Sequence, residues 1–96
     1  MSVGAGVTSK EPMFEVILSR KAQRYYDRLP KTIARRIDEA LKEMEKDPWS
    51  GDVAPLEGEL GIWRKRVGGY RILFQVDRIS QVVNVALIKP RGDVYK

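Results

Sequence analysis

The sequence predicts an α+β domain: an antiparallel β-sheet built in β-α-α-β-β-β order, with a two-helix hairpin packed on one face. Three observations predict it. Two segments carry apolar residues at the period of an amphipathic helix and are separated by Pro30. Several other segments are rich in β-branched and aromatic residues, as strands are. Between two of these, Gly68-Gly69 stands at the spacing of a tight hairpin turn. The chain of 96 residues can bury one modest core. Residues 1–12 are small and polar and lack the apolar centre of a signal peptide, so they read as a flexible leader or a cloning remnant. Residues 13–96 read as one folded domain.

Residues 13–18 (Met-Phe-Glu-Val-Ile-Leu) suit a first strand. Ser19 is a suitable N-cap for a helix over 20–29, in which Ala22, Tyr25, Tyr26 and Leu29 share an apolar face. A longer helix is expected over 31–47. Its apolar stripe is Ile33, Ala34, Ile37, Ala40, Leu41 and Met44, and Pro48 stops it. Glu43, Glu45 and Lys46 read as its solvated side. Residues 49–61 hold one proline and three glycines and read as a loop, in which Trp49 has no evident role. Strands follow over 62–67, 70–77 and 82–88, with residues 78–81 as the second turn. These three form an antiparallel meander, and the first strand completes the sheet at one edge or beside the last strand.

The hairpin carries the chemistry. If Gly68 and Gly69 form the whole loop, both at positive φ, Arg66 pairs with Arg71, Lys65 with Ile72, Arg64 with Leu73 and Trp63 with Phe74. Side chains alternate between faces. One face then carries Trp63, Val67, Tyr70, Ile72 and Phe74, and belongs to the core. The other carries Arg64, Arg66 and Arg71. Like charges opposite one another destabilise a sheet, and guanidinium groups stay charged near neutral pH, so an anionic ligand accounts for the cluster. A phosphate suits it, because arginine forks grip oxygens in pairs. Overall net charge is +5, yet residues 1–60 hold ten Lys/Arg against eleven Asp/Glu, whereas residues 61–96 hold eight against two. This asymmetry is the footprint of a polyanion.

The absences also bound the function. The chain has no cysteine and no histidine. A disulfide framework and a Cys/His zinc site are therefore excluded, and a reducing cytoplasm is the expected compartment. The commonest acid/base side chain near neutral pH is missing too. No apolar run approaches the roughly 20 residues of a membrane helix, so no membrane partner is expected. No cofactor and no metal are expected.

The run Trp63-Arg64-Lys65-Arg66-Val67-Gly68-Gly69-Tyr70-Arg71-Ile72-Leu73-Phe74, with the ending Arg91-Gly92-Asp93-Val94-Tyr95, resembles the RelE/ParE toxin superfamily of type II toxin–antitoxin systems, and its RelE-like branch most. Pro55-Leu56 followed by Gly58 and Gly61 matches the family's approach to the hairpin. The resemblance spans residues 13–95 and implies the RelE-like microbial RNase fold. It also implies a ribosome-dependent mRNA endonuclease, in which a 2′-OH attacks the scissile phosphate in the A site without a metal. Carried over by motif, the catalytic set is Arg64, Arg66, Arg71, Arg91 and Tyr95. Arg66 and Arg71 would grip the phosphate, and Arg64 would lie near the 2′-OH. Arg91 would stabilise charge or protonate the leaving group, and Tyr95 would stack on a base or orient the nucleophile. The expected RNA-binding set is Arg64, Lys65, Arg66, Arg71, Lys89 and Arg91, although alternation turns Lys65 to the opposite face. The implied partners are a cognate antitoxin, the ribosome with its mRNA, and operator DNA only through the antitoxin complex.

The chain departs from the family in ways that leave the general base unassigned. One branch has lysines where Arg64 and Arg66 stand, and arginine is a poor base. Another has a Glu before the Pro-Leu dipeptide and a His beside the terminal Tyr, whereas this chain has Ala54 and no histidine. Lys89-Pro90 replaces the Gly or His often found before the late Arg. Either Tyr95 serves as the base or orientation on the ribosome supplies the rate. The competing reading is a ParE-like toxin that inhibits DNA gyrase by binding alone.

Overall fold

A computed structural model describes residues 13–90. In chain order the elements are β1 (Glu15–Leu18), α1 (Arg20–Asp27), α2 (Lys31–Lys46), β2 (Val53–Pro55), β3 (Trp63–Val67), β4 (Tyr70–Asp77) and β5 (Val82–Pro90). The five strands form one sheet in the order β1-β5-β4-β3-β2. The strands β2 to β5 are antiparallel neighbours, but β1 lies parallel to β5, with Val16 opposite Val83 and Leu18 opposite Val85. The sheet is therefore mixed rather than antiparallel throughout. A strand that leads directly into helices returns to the sheet only by a crossover, and this geometry suits a parallel edge.

Both helices begin and end where local chemistry dictates. Ser19 caps α1: its Oγ accepts from the Ala22 N–H at 3.0 Å and also donates to the Ala86 carbonyl at 2.7 Å. One side chain thus starts the helix and fastens it to β5. Pro30 stands at the N-cap of α2, where its missing N–H costs nothing. Tyr26 Oη donates to Asp38 Oδ1 at 2.6 Å and ties the two helices together. Ala22, Ile37, Ala40 and Met44 from the helices pack on Ile72, Phe74, Val83, Val85 and Ile88 of the sheet to form the core. Trp49 closes one end of it. Its ring meets Phe14 and Trp63 edge-on, with centroids 6.5 and 6.0 Å away, and Arg78 lies 4.8 Å over it.

Two further features differ from expectation. Residues 53–55 form a short strand inside the segment expected to be loop, pairing Val53 with Lys65 and Ala54 with Arg64. The hairpin has the expected register, from Trp63–Phe74 to Val67–Tyr70. Of its two glycines, however, only Gly68 has positive φ (57°), the pattern of a type II′ turn, not type I′.

The last strand carries a bulge that matters for function. Leu73 pairs with Leu87 and Phe74 with Val85, so Ala86 is left over. Regular alternation from Val83 and Val85 would have turned Lys89 into the core. The extra residue reverses the phase, so Ile88 is buried and Lys89 stands beside Arg71 on the other face.

Candidate functional site

The sheet face away from the helices carries two cross-strand rows near the hairpin end. One row reads Ala54, Arg64, Leu73, Leu87 from β2 to β5. The next reads Asp52, Arg66, Arg71, Lys89, with the Arg66 N–H bonded to the Asp52 carbonyl at 3.0 Å. Neighbouring strands lie about 4.8 Å apart, so the second row spans roughly 14 Å. Four cations therefore crowd an area a few phosphates wide.

The cations are not equivalent. Arg64 is largely covered, with 18% of its side chain exposed, and its Nη1 lies 3.4 Å from Asp52 Oδ1. Arg66 is 44% exposed, and its Nη1 lies 3.7 Å from Asp52 Oδ2. Asp52 thus spreads its two oxygens over two arginines. Arg71 is half-buried and its Nε is buried with no hydrogen-bond partner. A buried charged donor without an acceptor is costly unless a ligand supplies one. Lys89, half-buried at the end of the row, forms no ion pair among the described residues.

Lys65 is not part of this face. It is buried on the helix side, 3% exposed, where its Nζ donates to the Ser50 carbonyl at 2.8 Å and pairs with Glu43 Oε1 at 3.3 Å. An ammonium tied down in this way is withheld from RNA, so Lys65 leaves the RNA-binding set and Glu43 is more than solvated surface. Arg91 and Tyr95 lie outside the described residues. The residue that sequence reasoning missed is Asp52. The sole signal for it was a single valine inside a segment dominated by turn formers, too short to reveal a strand.

Among the described residues, no three or more His, Cys, Asp or Glu side chains gather where they could hold a metal ion. No described helix is long and apolar enough to cross a membrane.

The five-stranded sheet backed by two helices is a fold shared with known proteins. The family model for the ParE toxin of the type II toxin–antitoxin system, parDE, matches residues 16–95. The chain belongs to the ParE toxin family. Comparison with curated proteins finds no match. Among solved structures, this ParE-family toxin is similar to the archaeal RelE–RelB complex from Pyrococcus horikoshii, with a TM-score of 0.74 and 29% identity over 83% of this chain and 97% of that one. It is similar to the RelBE2 toxin–antitoxin complex from Mycobacterium tuberculosis at a TM-score of 0.73 and 27% identity, over 83% and 99% of the two chains. The isolated RelE toxin of E. coli shares the fold, with a TM-score of 0.70 at 22% identity over 85% and 90%. The ParE-family toxin described here is thus a type II toxin built on the RelE-like fold.

Proposed function

We propose that this toxin is a ribosome-dependent endoribonuclease that cuts mRNA in the A site. The observation that carries the reading is the array of Arg64, Arg66, Arg71 and Lys89 on one sheet face, with the buried Arg71 Nε lacking an acceptor. In the reaction the 2′-oxygen attacks the adjacent phosphorus, forming the P–O2′ bond while the P–O5′ bond breaks. The 2′-proton goes to a base, the 5′-oxygen takes up a proton, and the products are a 2′,3′-cyclic phosphate and a 5′-hydroxyl. Negative charge grows on the phosphoryl oxygens toward the transition state. Donors fixed in advance stabilise it there more than in the ground state. Arg66 and Arg71 face each other across β3 and β4 and would hold those oxygens; Arg64 would approach the 2′-oxygen side. Arg91 would serve the leaving oxygen, and Tyr95 would stack on a base, a contact worth about 1–3 kcal/mol. The ribosome would supply orientation that so small a protein cannot. Two of the similar solved chains are in RelE–RelB and RelBE2 toxin–antitoxin complexes, which supports a cognate antitoxin as partner here as well.

The test is primer extension on a short mRNA with and without programmed ribosomes. Cuts should fall within the A-site codon, only with ribosomes present, and disappear in Arg71→Ala. The matched family is described by its ParE toxin, which favours a second reading, inhibition of DNA gyrase by binding. A folded protein that cuts nothing but blocks supercoiling would establish that reading in place of the first.

A further inference from the structure

The array of arginines binds and stabilises charge, but no arginine can accept the 2′-proton. Among the described residues, one carboxylate paired with the arginines of the open face can. Among the described residues, Asp52 alone forms ion pairs with the arginines of this face, at 3.4 Å to Arg64 and 3.7 Å to Arg66. Three of the other carboxylates can be placed away from these arginines. Asp77 pairs with Val82 and Glu15 with the same residue, so both sit at the far end of the sheet, six residues along β4 from Arg71 and roughly 20 Å away. Glu43 lies on α2 and is engaged with Lys65 on the helix side.

Asp52 is also held in place by a built arrangement. Gly51, just before it, has φ of 79°, a conformation that side-chain-bearing residues rarely adopt. A Cβ at Gly51 would come within 3.0 Å of Lys65 Nζ. That ammonium is itself buried and bonded to the Ser50 carbonyl at 2.8 Å. The buried lysine thus clasps the turn at 50–51, and the turn delivers Asp52 opposite Arg66 through the 3.0 Å bond from the Arg66 N–H. A carboxylate needed only for solubility would require no such clasp.

We infer that Asp52 is the general base of this toxin, taking the 2′-proton from the nucleotide whose phosphate lies on Arg66 and Arg71. This inference rests on the nuclease reading above. The scissile phosphate enters between the arginines and releases Asp52 from them. One carboxylate oxygen is then free to accept the proton as the P–O2′ bond forms. Asp52 stands two residues before Ala54, on the same face of β2's extension, where Ala54 lies opposite Arg64. Arg64 and Arg66 from β3 pair with Asp52, and Arg36, Glu39 and Glu43 from α2 line the cleft beside it together with the clasping Lys65.

The experiment compares wild type, Asp52→Asn and Asp52→Glu in single-turnover cleavage of mRNA on programmed ribosomes near neutral pH. General base catalysis contributes about 10²–10⁴-fold, so Asp52→Asn should cut at least about a hundredfold more slowly. Asp52→Glu should restore part of the rate. Binding of mRNA carrying a 2′-O-methyl group at the scissile position should be at least as tight in Asp52→Asn as in wild type, because a neutral amide competes less for Arg64 and Arg66. If Asp52→Asn cuts at the wild-type rate, or slows only in proportion to a loss of affinity for the 2′-O-methyl mRNA, Asp52 is not the base and the nuclease reading survives. If wild type cuts nothing under any condition, the nuclease reading falls and this inference falls with it.

Discussion

Lys65 and Arg66 are adjacent in sequence and have opposite fates, which shows how far a single residue's position outweighs its type. Strand alternation sends Arg66 to the open face and Lys65 among the helices, where Glu43 and the Ser50 carbonyl satisfy an ammonium that would be costly to bury alone. At the far end of β4, Asp77 shows the same dependence on place. Its Oδ1 accepts from the Ile79 and Ser80 backbone N–H groups, each at 3.1 Å, closing the turn into β5. The bond from the Ser80 backbone above all holds the Asp77 carboxyl below the ordinary carboxylate value of 3.8. A depressed value in the folded state means that the turn is fully supported above about pH 4 and loses that support as pH falls through the folded-state value. A side-chain carboxyl NMR titration should therefore place the Asp77 midpoint below 3.8; a midpoint at or above it would contradict the turn geometry.

The elements differ in how plainly the sequence announces them, and the difference is physical. The helices are legible because Ile33, Ile37, Ala40, Leu41 and Met44 repeat at one period over about three turns, and Ser19 and Pro30 mark their starts. The hairpin register is legible because Gly68-Gly69 fixes loop length. Three residues of β2 are too few to show any period, and their pairing depends on contact with Lys65 and Arg64 a dozen residues away. The Ala86 bulge is equally hidden, since it reflects non-local bonds such as Ser19 Oγ to the Ala86 carbonyl. These two illegible features deliver Asp52 and Lys89 to the candidate site, whereas Arg64, Arg66 and Arg71 were legible from alternation alone. The turn before β2 offers a direct check. Gly51→Ala meets both an unfavourable φ and the Lys65 ammonium at 3.0 Å. Left-handed backbone costs about 1–2 kcal/mol for an L-residue, so thermal or urea unfolding should show a loss larger than that for Gly51→Ala. Gly58→Ala also has positive φ but meets nothing within 4 Å, so it isolates the backbone share. Equal stability losses in the two variants would mean that the Lys65 clasp does not hold the turn.

Across the whole molecule, one side of the sheet is spent on folding and the other on charge. Phe74, Ile72, Val83, Val85 and Ile88 face the helices and are buried, while the opposite face gathers cations toward the hairpin end and places Glu15 and Asp77 at the other end. On the proposed nuclease reading, this arrangement predicts how RNA binding responds to salt. Each phosphate contact made to a single strand lowers the logarithm of affinity by about 0.7 per unit of log salt concentration, because condensed counterions are released. Arg64 and Arg66 share Asp52 before RNA arrives, so part of their charge is already compensated, whereas Arg71 and Lys89 have no such partner among the described residues. Replacing Arg71 with Gln should reduce the salt slope by about one phosphate's share and weaken binding of the 2′-O-methyl mRNA at low salt. Replacing Arg64 should change the slope less, because Asp52 already neutralises part of it. Measurement of dissociation constants from low to moderate salt for the two variants distinguishes these outcomes. Equal slopes for Arg71→Gln and wild type would show that the unpartnered guanidinium does not meet phosphate. The binding face would then have to be sought elsewhere, with the cleft that Lys21, Arg24, Arg28 and Lys89 line between α1 and β5 as the next place to look.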